Sequence, residues 1–120
     1  MSWDIYIQDL PPVDRVDAIP EDFRPQPIGE REALIARIRK VLPMLERQDN
    51  DWLFAKGNGI DLSMQLHMED ATQVRYILVH VHNRELGAAG VAALLREPGL
   101  RAMDTATGDL FDAVMLEEGL

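Results

Sequence analysis

Apolar side chains follow two different periods in the first third of the chain. In SWDIYIQ (2–8), apolar and polar residues alternate, which is the pattern of a strand with one face toward water. In GEREALIARIRKVLP (29–43), the apolar residues recur every three or four positions, which predicts a helix from Glu30 to Leu42. Gly29 is expected to cap this helix, and Pro43 is expected to end it.

Three more strands are predicted in the middle of the chain, at 51–56, 60–68 and 73–81. The short loops GNG and EDAT separate them, as in two successive hairpins. In the first hairpin we place Lys56 opposite Ile60, and in the second we place Met68 opposite Gln73. This register collects apolar residues from all three strands on one side of the sheet. The predicted core side comprises Trp52, Phe54, Leu62, Met64, Ile77 and Val79.

Residues 10–28 form a proline-rich arm between the first strand and the first helix. They hold five of the seven prolines, and a proline has no N–H to donate inside a strand or helix. The arm is therefore expected to be extended, with one short helical turn near 13–18.

A second helix is expected from Glu85 to Glu97, because leucine and valine recur there at helical spacing and Pro98 would end it. After it come, in order, a short strand, a turn at 105–108, an extended piece at Leu110 and Phe111, and a frayed tail over 112–120.

These elements predict one domain over residues 1–120 with the order β-α-β-β-β-α-β. Such an order is typical of an α+β fold. We expect a two-layer sandwich in which an antiparallel or mixed sheet carries both helices on one face.

Composition narrows the classes of function and of partner. The chain has no cysteine, so thiol nucleophiles, thiolate metal sites and disulfides are excluded, and a cytoplasmic location is expected. Its net charge of −9 repels phosphate groups, so we predict no nucleic-acid partner, and no apolar run is long enough to span a bilayer. A basic protein would be attracted to such a chain.

The three histidines are the candidate chemical groups. The predicted register places His67 roughly 20 Å along the sheet from His80, too far for one metal ion to bind all three. His80 and His82 point to the same face, with Asp61 across from His80, and this set suits a divalent metal or proton transfer. The simpler interpretation is that polar residues complete the wet side of a strand. We therefore predict no catalytic residue, no resident metal and no cofactor.

The strand at 73–81 is apolar on both sides, so its outer side needs a cover. Tyr76 and Leu78 lie on the same side as His80 and His82, and an exposed surface of this kind is typical of protein interfaces. The arm, the C-terminal segment or a second subunit could cover it. We predict these four residues as a partner-binding surface.

Four motifs distributed along the chain, SWDIYIQDLP, IPEDFRPQPIG, LVHVH and GLRAMDTATGD, resemble a group of small bacterial proteins with no assigned function. The resemblance extends from about Trp3 to Phe111 and implies a single bacterial domain, but it assigns no catalytic residue. Some of these proteins resemble companions of secreted-toxin systems. An arginine often occupies the position of His82 in them, which argues against a metal at that position.

Three functions are compatible with the sequence. The favoured one is a non-enzymatic, acidic protein-binding domain, in its most specific form an immunity-type inhibitor of a basic toxin. The second is a small metal-dependent or acid/base enzyme that uses His80, His82 and Asp61. The third is a structural protein that self-associates as a homodimer through the outer side of 73–81.

Overall fold

A computed structural model describes residues 3–57, 59–96 and 99–118 and shows an α+β fold, as predicted. Within these residues, eight strands form one antiparallel sheet, and three α-helices accompany it. The elements are β1 (Trp3–Gln8), β2 (Gly29–Glu30), α1 (Arg31–Val41), β3 (Leu45–Arg47), β4 (Trp52–Gly57), β5 (Ile60–Met68), β6 (Gln73–Val81), α2 (Arg84–Arg96), β7 (Arg101–Asp104), β8 (Leu110–Phe111) and α3 (Ala113–Glu117). The order across the sheet is β3-β4-β5-β6-β1-β7-β8, and β2 pairs with β6 beyond the end of β1.

The predicted elements lacked β2, β3 and α3, whereas β8 coincides with the extended piece predicted at Leu110 and Phe111. β2 and β3 contain only two and three residues, too few to show a period. The segment 112–120 was predicted to be frayed, whereas Ala113–Glu117 form α3, with the Asp112 carboxylate accepting the Met115 N–H at 2.9 Å. The predicted helix end at Glu97 and Pro98 lies outside the described residues.

The register of the first hairpin differs from the prediction by one residue. Gly57 pairs with Ile60, and Lys56 pairs with Asp61. Because side chains alternate across a strand, a shift of one residue exchanges the two faces of β4. Leu53 and Ala55 are therefore the buried residues of β4, and the prediction that Trp52 and Phe54 face the core was wrong.

From Leu62 to His67, the second hairpin is shifted by two residues, which leaves the faces there unchanged. Next to the loop, Met68 pairs with Val74, a shift of one residue, and Val74, predicted on the outer side, is buried in the core. Met64 pairs with Val79 rather than with Ile77, and Leu62 pairs with Val81. The side chains of Leu62, Met64, Ile77 and Val79 are all buried, as the pattern predicted. The same core cluster includes Leu34, Ile35 and Ile38 of α1 and Val91, Leu94 and Leu95 of α2.

The proline-rich arm is attached to the sheet at both ends. The Leu110 N–H donates to the Asp14 carbonyl at 2.9 Å, so the first part of the arm runs beside β8. A short 3-10 turn follows at Val16–Ala18, within the region where a helical turn was predicted. At the far end of the arm, the Ile28 N–H donates to the Val74 carbonyl of β6 at 2.8 Å. The arm is thus an ordered part of the fold.

An ion pair joins α1 to β3. The Arg47 guanidinium donates to both carboxylate oxygens of Glu32, at 2.7 and 2.9 Å. These hydrogen bonds, assisted by Arg31, lower the pKa of Glu32 below its usual value. A carboxyl group whose pKa is lowered in the folded state stabilises the fold above its unfolded pKa, and this contribution is lost as the pH falls through the folded pKa.

We expect Arg47→Ala to raise the pKa of Glu32 toward that of a free glutamate, because the largest cause of the lowering is removed. An NMR titration of the Glu32 carboxyl group measures this change. Arg75→Ala is the control, since Arg75 pairs with Glu69 and not with Glu32. An unchanged Glu32 titration in Arg47→Ala would refute the assignment.

Among the described residues, no helix has the length and apolar character needed to cross a membrane.

Candidate functional site

Among the described residues, one side of the sheet carries none of the main core cluster, and we call it the open face. Leu110, which pairs with Met103 on this side, is buried but lies outside that cluster. Cross-strand pairing aligns the side chains of the open face in rows: Tyr6 pairs with Leu78, which pairs with Gln65, which in turn pairs with Trp52. Almost all of these side chains are half-buried, whereas their chain neighbours on the core side are buried. The open face comprises Asp4, Tyr6, Gln8, Glu46, Trp52, Phe54, Lys56, Asp61, Ser63, Gln65, His67, Tyr76, Leu78, His80 and Met103, with His82 and Arg101 at its margin.

Tyr76 lies at the centre of an aromatic group on the open face. Its ring stacks on His67, with the ring centroids 4.4 Å apart and the planes 13° apart. Tyr6 meets the same ring edge-on at 5.2 Å. Leu78 and His80 follow on the same face, so three of the four residues predicted as a partner-binding surface lie side by side along β6. The side chains of Tyr76, Leu78 and His80 are all half-buried.

His80 pairs with Asp4 of β1. Its Nδ1 lies 2.8 Å from the Asp4 carboxylate, and both side chains are about one third exposed, at 31% and 37%. The residue across from His80 on β5 is Ser63. Asp61 was expected at that position, but the two-residue shift of the second hairpin moves it away.

His82 is exposed and contacts a different polar partner. Its Nε2 lies 3.0 Å from the Ser63 hydroxyl oxygen, and its backbone N–H donates to the Asp61 carbonyl at 3.0 Å. Asp61 therefore lies beside His82 and not beside His80. The described residues contain no group of three or more histidine, aspartate or glutamate side chains placed to hold a metal ion, so the structure does not assemble the candidate metal set.

His67 lies closer to the other two histidines than predicted. It pairs with Tyr76 and not with Val74, which pairs with Met68 beyond a register irregularity. All three histidines of the chain thus belong to the open face or its margin. Within the described structure, the Nε2 of His67 is buried and has no hydrogen-bond partner. Its burial destabilises the fold, because the nitrogen loses its hydrogen bond to water and gains none in return.

The open face also includes Trp52 and Phe54, two aromatic residues that the hydrophobic pattern had placed in the core. The sequence does contain a signal for the face on which Trp52 and Phe54 lie. Asn58-Gly59 is a dipeptide strongly preferred in two-residue hairpin turns, and such a turn places Gly57 opposite Ile60. Treating GNG as a three-residue loop shifted the register by one position.

Little of the net charge lies on the open face. Its charged side chains are Asp4, Glu46 and Asp61 against Lys56, with Arg101 opposite Gln8 at its margin, while the chain as a whole has 21 acidic and 12 basic residues. The chemistry offered by the face is therefore an apolar and aromatic surface with two histidine pairs, His80–Asp4 and His82–Ser63. Two cavities of about 280 Å³ lie elsewhere, against α3, one lined by Ala88, Ala92 and Leu116 and the other by Leu100, Asp112 and Val114.

Comparison with protein-family models, with curated proteins and with solved structures finds no match for this chain.

Proposed function

We propose that this chain is a non-enzymatic protein-binding domain and that its partner docks on the open face. The observation that carries the proposal is the group of half-buried Tyr6, Trp52, Phe54, Tyr76 and Leu78 on one side of the sheet. Tyrosine and tryptophan are enriched at interface hot spots, because they bury much apolar area and retain a polar group for hydrogen bonding.

The partner in this proposal is a basic protein. Since the chain carries a net charge of −9, its field attracts a basic protein from a distance and speeds the encounter. The apolar open face then supplies most of the contact area. An immunity-type inhibitor of a basic toxin, acting in the cytoplasm, is the most specific form of this function.

Leu78→Glu tests the docking surface, because it places a charge among the aromatic residues of the open face. We expect the variant to bind the partner at least tenfold more weakly than the unmodified chain. The partner is first isolated by co-purification and identified, and its affinity is then measured by isothermal titration calorimetry with purified proteins.

Val114→Glu is the matched control, since Val114 is 56% exposed on α3 and receives the same charge away from the open face. It should bind as the unmodified chain does. Equal binding by Leu78→Glu, or an isolated partner that is acidic, would refute the proposal. A dimer that dissociates only in Leu78→Glu would instead assign the face to a second copy of the chain.

The second candidate is a small acid/base enzyme, and one observation favours it. The Ser63 hydroxyl lies within hydrogen-bond distance of the His82 Nε2, which is the arrangement of a hydroxyl and its general base. Hydrolysis of p-nitrophenyl acetate tests this candidate. A rate above that of free imidazole, lost in both Ser63→Ala and His82→Ala, would support it, and equal rates in the three proteins would exclude ester hydrolysis at this site.

A further inference from the structure

The outer side of α1 is a basic surface on an acidic protein. The segment 31–41 contains four basic residues and one acidic residue, the reverse of the balance in the whole chain. Arg37, Arg39 and Lys40 are exposed, and between them lie the exposed small side chains of Ala33 and Ala36. We call these five residues the α1 basic face.

Part of the positive charge on the α1 basic face is not neutralised within the described residues. The one acidic residue of α1, Glu32, is already engaged by Arg47 of β3 and by Arg31. Within the described residues, Arg37 and Arg39 take part in no hydrogen bond or ion pair. Their charges remain available to a carboxylate from outside the molecule.

The first part of the arm offers complementary charge and shape. Asp14 and Asp17 are exposed beside β8, with the Asp17 side chain 76% exposed, and Val16 between them is 43% exposed. Arg15 neutralises the negative charge of these carboxylates only in part, because its guanidinium lies closer to Asp109, at 2.7 Å, than to Asp17, at 3.8 Å. Val16, an exposed apolar side chain flanked by carboxylates, is thus complementary in charge and size to Ala33 and Ala36, which are flanked by cations.

The two surfaces cannot meet within one molecule. The C-terminal end of α1 leads directly into β3, where the Leu45 N–H donates to the Leu42 carbonyl at 3.0 Å. The arm segment runs beside β8 in space, and β3 and β8 are the two edge strands of the sheet. Across seven strands spaced about 4.8 Å apart, the edges are separated by roughly 30 Å.

From this charge complementarity we infer that the α1 basic face docks a second copy of the chain, through the arm segment Asp14–Asp17 of that copy. The contact is head-to-tail, because each copy contributes a different surface. It is independent of the open face and of the proposed function. It is also mainly electrostatic, and salt weakens it because dissolved ions screen exposed charges.

Sedimentation velocity of the purified chain over a range of concentrations tests this inference. At 20 mM NaCl we expect a concentration-dependent increase in sedimentation coefficient, and at 500 mM NaCl we expect the association to weaken at least tenfold. Arg37→Glu combined with Lys40→Glu, and separately Asp14→Lys combined with Asp17→Lys, should each weaken the association at least tenfold at low salt.

Mixing the two double variants provides the decisive measurement. The variant with the changed arm retains a native α1 basic face, and the variant with the changed helix retains a native arm, so an equimolar mixture should associate where neither variant does alone. Arg75→Glu combined with Arg96→Glu alters the net charge as the helix variant does, but on β6 and α2, and should associate as the unmodified chain does.

Three results would overturn the inference: a monomer at every concentration at low salt, a mixture that fails to associate, or an oligomer that persists at 500 mM NaCl and is lost in Leu78→Glu. The last result would place the contact between copies on the open face. The first two results would overturn the inference alone and leave the proposed function standing. The third would also count against the proposed function, because the open face would then bind a second copy of the chain.

Discussion

Phe111→Ala is expected to lower the free energy of unfolding by about 3–5 kcal/mol, which is typical when a buried phenylalanine is truncated. Phe111 has no exposed surface. Its ring stacks on Trp3 at a centroid distance of 5.7 Å, with the planes 18° apart. The neighbouring backbone is held in the sheet and cannot collapse into the space left behind. Urea unfolding followed by circular dichroism measures the change.

Phe54→Ala is the matched control, because Phe54 is also a strand phenylalanine but lies half-buried on the open face. It should cost clearly less than Phe111→Ala, since less apolar surface is removed from a buried environment. Equal costs at the two positions would mean that the register of β4 derived from the structure is wrong.

Trp3 explains why a residue near the end of the chain has so large an expected effect. Besides stacking on Phe111, its indole Nε1–H donates to the buried Asp104 carboxylate at 2.9 Å. The Arg84 guanidinium at the start of α2 lies 4.5 Å from the Trp3 ring centroid. Losing the Phe111 ring therefore loosens a contact that joins β1, β7, β8 and α2.

The long elements were predictable because their patterns repeat several times. The nine residues of β5 and of β6 were predicted with their observed bounds, and α1 was predicted within one residue at each end. The contacts of Trp3 with Phe111 and Asp104 were not predictable, since no period connects residues so far apart in the chain. Strand order across the sheet was unpredictable for the same reason.

The candidate site shows how much depends on a single loop. The faces of Tyr76, Leu78 and His80 were predicted, because the error in the second hairpin was an even number of residues. Trp52 and Phe54 were placed on the wrong face, because the error in the first hairpin was odd. Both sides of β4 carry apolar residues, so hydrophobicity alone could not correct the mistake. The aromatic content of the open face therefore emerged only from the structure.

Gly87→Ala should lower the free energy of unfolding by about 2 kcal/mol, although alanine is the better helix former. A Cβ at position 87 would lie 2.5 Å from Cγ1 of Val81, closer than real Cβ atoms approach. Val81 is fully buried on β6 and its β-branched side chain has little freedom to move. Overpacking typically costs about 1–3 kcal/mol, and at so rigid a contact we expect the upper end, offset by about 1 kcal/mol of helix propensity.

Gly90→Ala, one turn further along α2, should change stability in the opposite direction or not at all. The nearest atom to a Cβ at position 90 is Cδ1 of Ile60 at 3.6 Å, an ordinary van der Waals distance. The gain in helix propensity, up to about 1 kcal/mol, then meets no opposing clash. Because both glycines are buried on the same helix, propensity alone predicts the same sign for the two variants. Urea unfolding of the pair distinguishes these cases, and stabilisation by both substitutions would show that α2 does not approach β6 as closely at Gly87 as the structure indicates.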